Sequence, residues 1–332
     1  MIFQAPILAL LLVAALAALV SVWSAAFGLR VLAAWDVASG SRAQLRLERT
    51  TELVSTLFGA VLMAQIAALL LFVYNADKMA ELFVGAMCAV GTLGVNPYGF
   101  PALTLKIAVF FAAALWLILD RADRLGRDYP LAKVKYAALL PIAALLLVAG
   151  GMELTYYLGL ETDVITSCCS KVFTPVNDGL ASEVTGRDPA RALWLLGGAG
   201  AVTAATGGLS LATGRGQGWF ALSGAVLFAA AIAAIVSVIS LYVYDHPNHH
   251  CPFCLLQREH GYYGYALYLP LFAGTAAALG AGVTRAFEGR PSLSGALPAM
   301  TRRLVTGGLI AYALFGLAVL WAIWASELIL FG

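Results

Sequence analysis

The chain has 332 residues, 61% of them hydrophobic and 11% charged, with a net charge of +2 at pH 7. Soluble domains carry about 25% charged residues, so this composition excludes an ordinary water-soluble fold. No nucleic-acid partner is expected.

Apolar residues come in runs of roughly twenty, the length that crosses the hydrocarbon core of a bilayer. Only helices satisfy the backbone of such runs without water. The expected fold is therefore all-α: a polytopic membrane helical bundle of about eight transmembrane helices, forming a single integral membrane domain over 1–332 in contact with lipid.

The first apolar run, about 6–34, has no basic residue before Arg30. That argues for an uncleaved anchor and against a signal peptide. The second run covers about 53–75 and leads into a loop, 76–100, whose first part, 76–90, reads as an amphipathic helix on the membrane surface. The turn Asn96-Pro97-Tyr98-Gly99-Phe100-Pro101 starts the third run, about 101–120. The fourth covers about 136–160. The loop 161–191 comes next and is the longest polar stretch, with Asp163, Asp178, Glu183 and Asp188 as a docking surface for a soluble partner.

The fifth run, about 192–212, carries Gly197-Gly198-Ala199-Gly200 and Gly207-Gly208, a thin face that lets another helix approach closely. The remaining runs are about 219–244, 262–284 and 304–330, with the loop 245–261 after the sixth. Runs one to four and five to eight share an orientation, which suggests a parallel 4+4 pseudo-repeat over 1–160 and 190–332.

Lys and Arg set the expected orientation. Arg42, Arg46, Arg49, Arg121, Arg124, Arg127, Lys133, Lys135, Arg215, Arg285, Arg290, Arg302 and Arg303 flank one side. Lys78, Lys171, Arg187, Arg191 and Arg258 flank the other. The positive-inside rule puts the thirteen in the cytoplasm, and both termini outside. All five cysteines then fall on the outer side: Cys88 in the loop 76–100, Cys168 with Cys169 in 161–191, and Cys251 with Cys254 in 245–261. An oxidising compartment outside a bacterial-type inner or plasma membrane fits that placement.

The chemistry concentrates in 246–260, which holds all four histidines and two of the five cysteines. Cys251-Pro252-Phe253-Cys254 can cycle between dithiol and disulfide. Placed in the first turn of span seven, the two sulfurs would share a face with Arg258, Tyr262 and Tyr265 at helical spacing. The helix N-terminus and the guanidinium would favour the thiolate. The tyrosines would offer flat surfaces to an aromatic headgroup. The vicinal Cys168 and Cys169, together with Cys88, are the available relay thiols.

The segment Cys251-Pro252-Phe253-Cys254-Leu255-Leu256-Gln257-Arg258 resembles the Cys-x-x-Cys-x-x-Gln-Arg motif of the DsbB/BdbC membrane disulfide oxidoreductases. By function the likeness extends to vitamin K epoxide reductases. The resemblance implies that Cys251 and Cys254 form a quinone-reactive pair, with Cys254 nearest the quinone and Arg258 beside its ring. It also implies a periplasmic thioredoxin-like partner. In that family a second cysteine pair comes after the motif, whereas no cysteine comes after Cys254 here.

Two other readings use the same residues. His246, His249, His250, Cys251 and Cys254 can hold Zn(II) or Cu(I). The chain can also be an accessory subunit of a larger membrane complex, its loops tied by disulfides or metal.

Overall fold

A computed structural model of the protein describes residues 3–36, 39–126, 128–161, 166 and 188–330; no strand occurs among them. Among the described residues, eight helices are long and apolar enough to cross a membrane, and the chain is an integral membrane protein of all-α architecture in contact with lipid. Spans one to four are Ala5–Ala34, Arg42–Lys78, Gly99–Asp123 and Ala132–Leu158. Spans five to eight are Pro189–Thr213, Gln217–Ala234 with its continuation to Tyr244, Tyr263–Arg285 and Leu297–Ala325.

Two helices depart from the lengths that hydropathy suggests. Span two starts at Arg42, about a dozen residues ahead of its apolar run, because its first three turns are polar but strongly helix-forming. The Ser41 hydroxyl accepts from the Gln44 N–H at 3.2 Å and so caps that extension. The surface helix expected over 76–90 does not form. Span two runs through Lys78, a 3₁₀ turn covers Met79–Leu82, and irregular backbone continues until a helical turn at Ala89–Leu93. Span eight also begins and ends earlier than its apolar run, at Leu297 and Ala325.

The chain divides into two compact units. The first holds Met1–Asn75, Leu93–Thr162 and Phe287–Leu297. Its core is aromatic, with Phe27, Phe58, Trp116 and Tyr136 packed among aliphatic side chains. Buried charges inside it are paired. Lys106 meets Glu153 at 2.9 Å on adjacent spans, and Lys135 meets Asp120 and Asp123 at 2.9 and 2.8 Å. Asp123 also accepts the Leu131 N–H at 2.8 Å, fixing the turn between spans three and four.

The second unit holds Ala76–Thr92, Asp163–Ala286 and Pro298–Gly332. Spans five to eight enclose a core of Phe220, Leu227, Ile235, Leu267, Leu271 and Phe315, joined by Leu255 from the loop after span six. This unit thus combines four consecutive spans with one segment, 76–92, from far earlier in the chain.

Candidate functional site

The site of interest lies wholly within the second unit and begins with an irregularity in span six. The α-helix gives way at Ile235–Ile239 to a π turn, every residue of which is buried. A π turn disturbs the normal backbone ladder and frequently marks a functional position. Here the Val236 carbonyl lies 3.0 Å from Nδ1 of His250. A carbonyl only accepts, so the ring is present as the Nδ1–H donor. Burial lowers the pKa of His250, which keeps it neutral in that role. His250 thereby ties the loop after span six back onto the span.

Span six ends at Tyr244, and Asp245 turns the chain in the left-handed conformation at φ 49°. Tyr244 organises the loop beyond that turn. Its hydroxyl donates to the Cys251 carbonyl at 2.5 Å, while its ring stacks on His249 at 4.1 Å and tilts against His260 at 4.4 Å. The Tyr268 hydroxyl donates to the neighbouring Pro252 carbonyl at 2.9 Å. Two phenols, one from each flanking span, therefore hold the backbone of the Cys-Pro-Phe-Cys segment. The pKa of His260 is lowered by burial and by the adjacent His249.

The helical stripe expected for Cys251, Cys254, Arg258, Tyr262 and Tyr265 is not formed. Two short 3₁₀ turns, Cys254–Leu256 and Arg258–His260, take its place, with Gln257 extended between them. The helix of span seven starts only at Tyr263. Gly261 at φ 61° and Tyr262 at φ 57° supply the reversal that delays it. Close packing sets the junction as well: a Cβ on Gly264 would stand 2.7 Å from Leu256 Cδ2 and 3.0 Å from the Leu255 carbonyl carbon. Helix-terminus stabilisation of a thiolate, which the sequence suggested, has no helix behind it at Cys251 or Cys254.

Cys251 is 0% exposed and Cys254 5% exposed, whereas Arg258 and Tyr262 are exposed. Tyr262 and Tyr265 still lie near each other, with ring centroids 6.4 Å apart.

Cys88 joins the cysteine pair. Its sulfur lies 3.5 Å from that of Cys251, and the sulfurs of Cys88, Cys251 and Cys254 are all within 4.8 Å of one another. The Cys88–Cys251 distance is thiol contact, well beyond the 2.05 Å or so of a covalent S–S bond. Cys88 is completely buried as well.

Gln257 makes this meeting possible. Its amide donates to Asp77 Oδ1 at 2.8 Å and to the Met87 carbonyl at 3.1 Å. Asp77 in turn accepts from the Ala89 N–H. One amide therefore clamps 76–92 both at its start and at the residue that precedes Cys88. Sequence reasoning passed over Gln257, Tyr244 and Asp77. The signal for Gln257 was its place in the motif, beside the more conspicuous Arg258.

Of the five residues proposed as metal ligands, only Cys251 and Cys254 fall in a cluster of ligand atoms among the described residues; the third member is Cys88. His250 is engaged with Val236, His249 packs on Tyr244, and His246 Nδ1 accepts from the Asn248 N–H at 3.2 Å. Cys168 and Cys169, the other proposed relay thiols, lie outside the described residues, as does most of the acidic loop around them.

No protein-family model, curated protein or solved structure matches the chain. The likeness to the disulfide oxidoreductases is therefore carried by the residues Cys251–Arg258 alone.

Proposed function

We propose that this protein is a membrane thiol–disulfide oxidoreductase that moves electron pairs between the thiols of another protein and a membrane quinone. The single observation that carries the reading is the convergence of Cys88 on the Cys251/Cys254 pair at contact distance. Three sulfurs at this spacing permit exchange without large movement. A Cys88 thiolate attacks Cys251 of a Cys251–Cys254 disulfide; the new S–S bond forms as the old one breaks, and Cys254 leaves as a thiolate.

The full cycle has two balanced halves. A partner dithiol becomes a disulfide while the relay disulfide becomes a dithiol. The relay dithiol then returns to a disulfide, passing two electrons and two protons to the quinone to give the quinol. Arg258, exposed and four residues after Cys254, supplies a cation for the developing oxyanion of the reduced ring. Tyr262 and Tyr265 offer the ring its contact surface.

The thirteen-to-five distribution of basic residues supports a periplasmic or extracellular position for these loops. A bacterial-type inner membrane and a thioredoxin-like partner go with that orientation. Relay through Cys168 and Cys169 is the corresponding role for the remaining thiols.

Replacing Cys254 with Ser tests the reading. Quinone-linked oxidation of a dithiol substrate by the purified chain should vanish, and a mixed disulfide with the substrate should be trapped at Cys251 or Cys88. Activity equal to wild type in Cys254→Ser would end this mechanism. Arg258→Ala should mainly raise the quinone KM.

One observation favours a second reading. Three buried sulfurs within 4.8 Å form a ready site for a soft ion, Cu(I) above all, which accepts three thiolates; Zn(II) would need a fourth donor. Elemental analysis with thiol counting separates the two. Stoichiometric metal lost in Cys88→Ser, with no quinone-linked turnover, favours metal handling. A chain inert in both assays but copurifying with fixed partners is an accessory subunit.

A further inference from the structure

The three sulfurs that converge in the second unit are held by backbone fixed in three separate ways. Cys88 and Cys251 are fully buried, Cys254 is 5% exposed, and no disulfide links any of them. At Cys251 and Pro252 the Tyr244 and Tyr268 hydroxyls hold successive carbonyls. Cys254 opens a 3₁₀ turn whose Leu255 and Leu256 pack closely on Gly264. Cys88 sits in a bend that only a glycine closes. The Gly91 N–H donates to the Cys88 carbonyl at 3.0 Å, and a Cβ on Gly91 would stand 2.5 Å from the Ala86 Cβ and 2.7 Å from its Cα. With the Gln257 amide on the Met87 carbonyl at 3.1 Å, the chain is held on both sides of Cys88.

Such a set is preorganised for a soft cation. A metal–thiolate bond of about 2.3 Å puts the sulfurs around a planar three-coordinate ion roughly 4.0 Å apart. That figure lies between the 3.5 Å of Cys88–Cys251 and the 4.8 Å that bounds all three pairs. No His, Asp or Glu ligand atom joins the cluster among the described residues, so the four donors of Zn(II) are not assembled. Cu(II) prefers a tetragonal set of nitrogen and oxygen donors, whereas His249 and His250 are engaged with Tyr244 and Val236. Three thiolates match Cu(I).

We infer that Cys88, Cys251 and Cys254 bind one Cu(I) ion when reduced, and that bound Cu(I) and the Cys251–Cys254 disulfide exclude each other. The metal is thereby a redox-gated inhibitor of the thiol oxidation proposed for the same pair, and the inference rests on that reading for what it regulates. Binding displaces thiol protons and engages the sulfur lone pairs, so no thiolate remains to attack a disulfide or to close one. Oxidation runs the other way. Two electrons leave Cys251 and Cys254 for a quinone, which takes two protons from water and becomes the quinol. One S–S bond forms as two Cu–S bonds break. Cys88 alone does not retain the ion, which departs to a soft acceptor still as Cu(I).

The test uses the full chain in nanodiscs, prepared copper-free under argon and titrated with Cu(I) against bathocuproine disulfonate. Reduced wild type should take up one ion per chain and protect all three sulfurs together from alkylation, as counted by mass spectrometry. The same chain carrying the preformed Cys251–Cys254 disulfide should bind about a hundredfold more weakly or worse, and so should Cys88→Ser. Gly91→Ala keeps every sulfur but forces the Cys88 bend open, and should weaken binding about tenfold. With Cu(I) buffered just high enough to saturate wild type, oxidation of the reduced pair by decyl-ubiquinone should slow about tenfold or more. Excess bathocuproine should restore it. Cys88→Ser, measured against its own copper-free rate, should not respond to that concentration.

Equal uptake by the reduced and disulfide-bonded chains overturns the inference. So do an unchanged affinity in Cys88→Ser, full-rate oxidation of the copper-loaded chain, and displacement of Cu(I) by Zn(II) at equal free concentration. Thiol oxidation by quinone in a chain that takes up no Cu(I) would refute the inference and retain the proposed function. Stoichiometric Cu(I), released when diamide closes the pair in a chain that no quinone oxidises, would retain the gated site and refute that function.

Discussion

The two units solve the problem of polar groups in an apolar bundle in opposite ways. In the first, reactive side chains sit on regular helices and neutralise one another. Lys106 and Glu153 are 3% and 2% exposed, and Lys106 also lies over the Phe72 ring at 5.3 Å. In the second, helices are interrupted instead: a π turn in span six, two 3₁₀ turns and two left-handed residues before span seven. Those interruptions expose backbone carbonyls that Tyr244, Tyr268 and His250 then occupy, and the sulfurs are left in contact with each other. Paired charge on continuous helices is a scaffold. Backbone irregularity braced by side-chain donors is how a fold presents chemistry.

The largest test of that contrast concerns the scaffold. Oε1 of Glu153 is buried and accepts no hydrogen bond among the described residues, so Lys106 is its principal compensation. Lys106→Met should therefore lower stability by about 3–5 kcal/mol, the cost of leaving one buried charge uncompensated. The double replacement Lys106→Met with Glu153→Leu should recover most of it. Steric-trapping measurements of unfolding in bicelles would read both. A single variant as stable as the double one would show that the pair is not structural.

The next effect falls on the interrupted side. Gly264→Val must push Leu256 and the Leu255 backbone aside. It should cost about 1–3 kcal/mol and speed the alkylation of Cys254 by a small maleimide. If the thiols stay as slow to react as in wild type, the 254–256 turn is not what buries them.

Gln257 offers a sharper probe with a smaller effect on stability. Gln257→Leu removes two hydrogen bonds to the 76–92 segment, about 1 kcal/mol each. In a Cys254→Ser background, oxidant-driven formation of the Cys88–Cys251 disulfide should slow by about tenfold, as counted by mass spectrometry of the linked peptides. An unchanged rate would mean that other contacts hold Cys88 in place.

These residues also show what a linear reading can and cannot reach. The eight spans were legible because hydropathy is a sum over twenty residues or so and survives local detail. The importance of 246–260 was legible from its density of sulfur and imidazole. The geometry was not, because the helix start depends on Gly261 and Tyr262 adopting positive φ, and nothing in the residue types announces that Tyr262 will. The partner of Cys251 was illegible for a different reason. Cys88 is 163 positions away, and the contact that delivers it runs from Gln257 to Asp77, across 180. The histidines proposed as ligands show the same limit: their clustering resembles a ligand set, yet His249 stacks on Tyr244, His250 meets the Val236 carbonyl and His246 accepts from Asn248, contacts that residue types alone do not announce.

The placement of those rings predicts the smallest effect, a dependence on pH. His250 and His260 both have pKa values below the ordinary 6.5 or so, chiefly through burial. The folded state therefore binds fewer protons than the unfolded chain once pH falls below about 6.5. Stability should be complete above that point, decline as pH drops toward the depressed folded values, and level off once both states are protonated. His250→Gln retains a donor for the Val236 carbonyl but cannot titrate, so part of the decline below roughly pH 6.5 should disappear in that variant. In His249→Gln, which removes the neighbouring imidazole that both rings feel, the remaining depression of the two pKa values should shrink and the decline should become shallower. Thermal unfolding in nanodiscs across that pH range reads each change. A ligand role for these histidines would instead make metal retention, and not stability of the metal-free chain, fall over the same window.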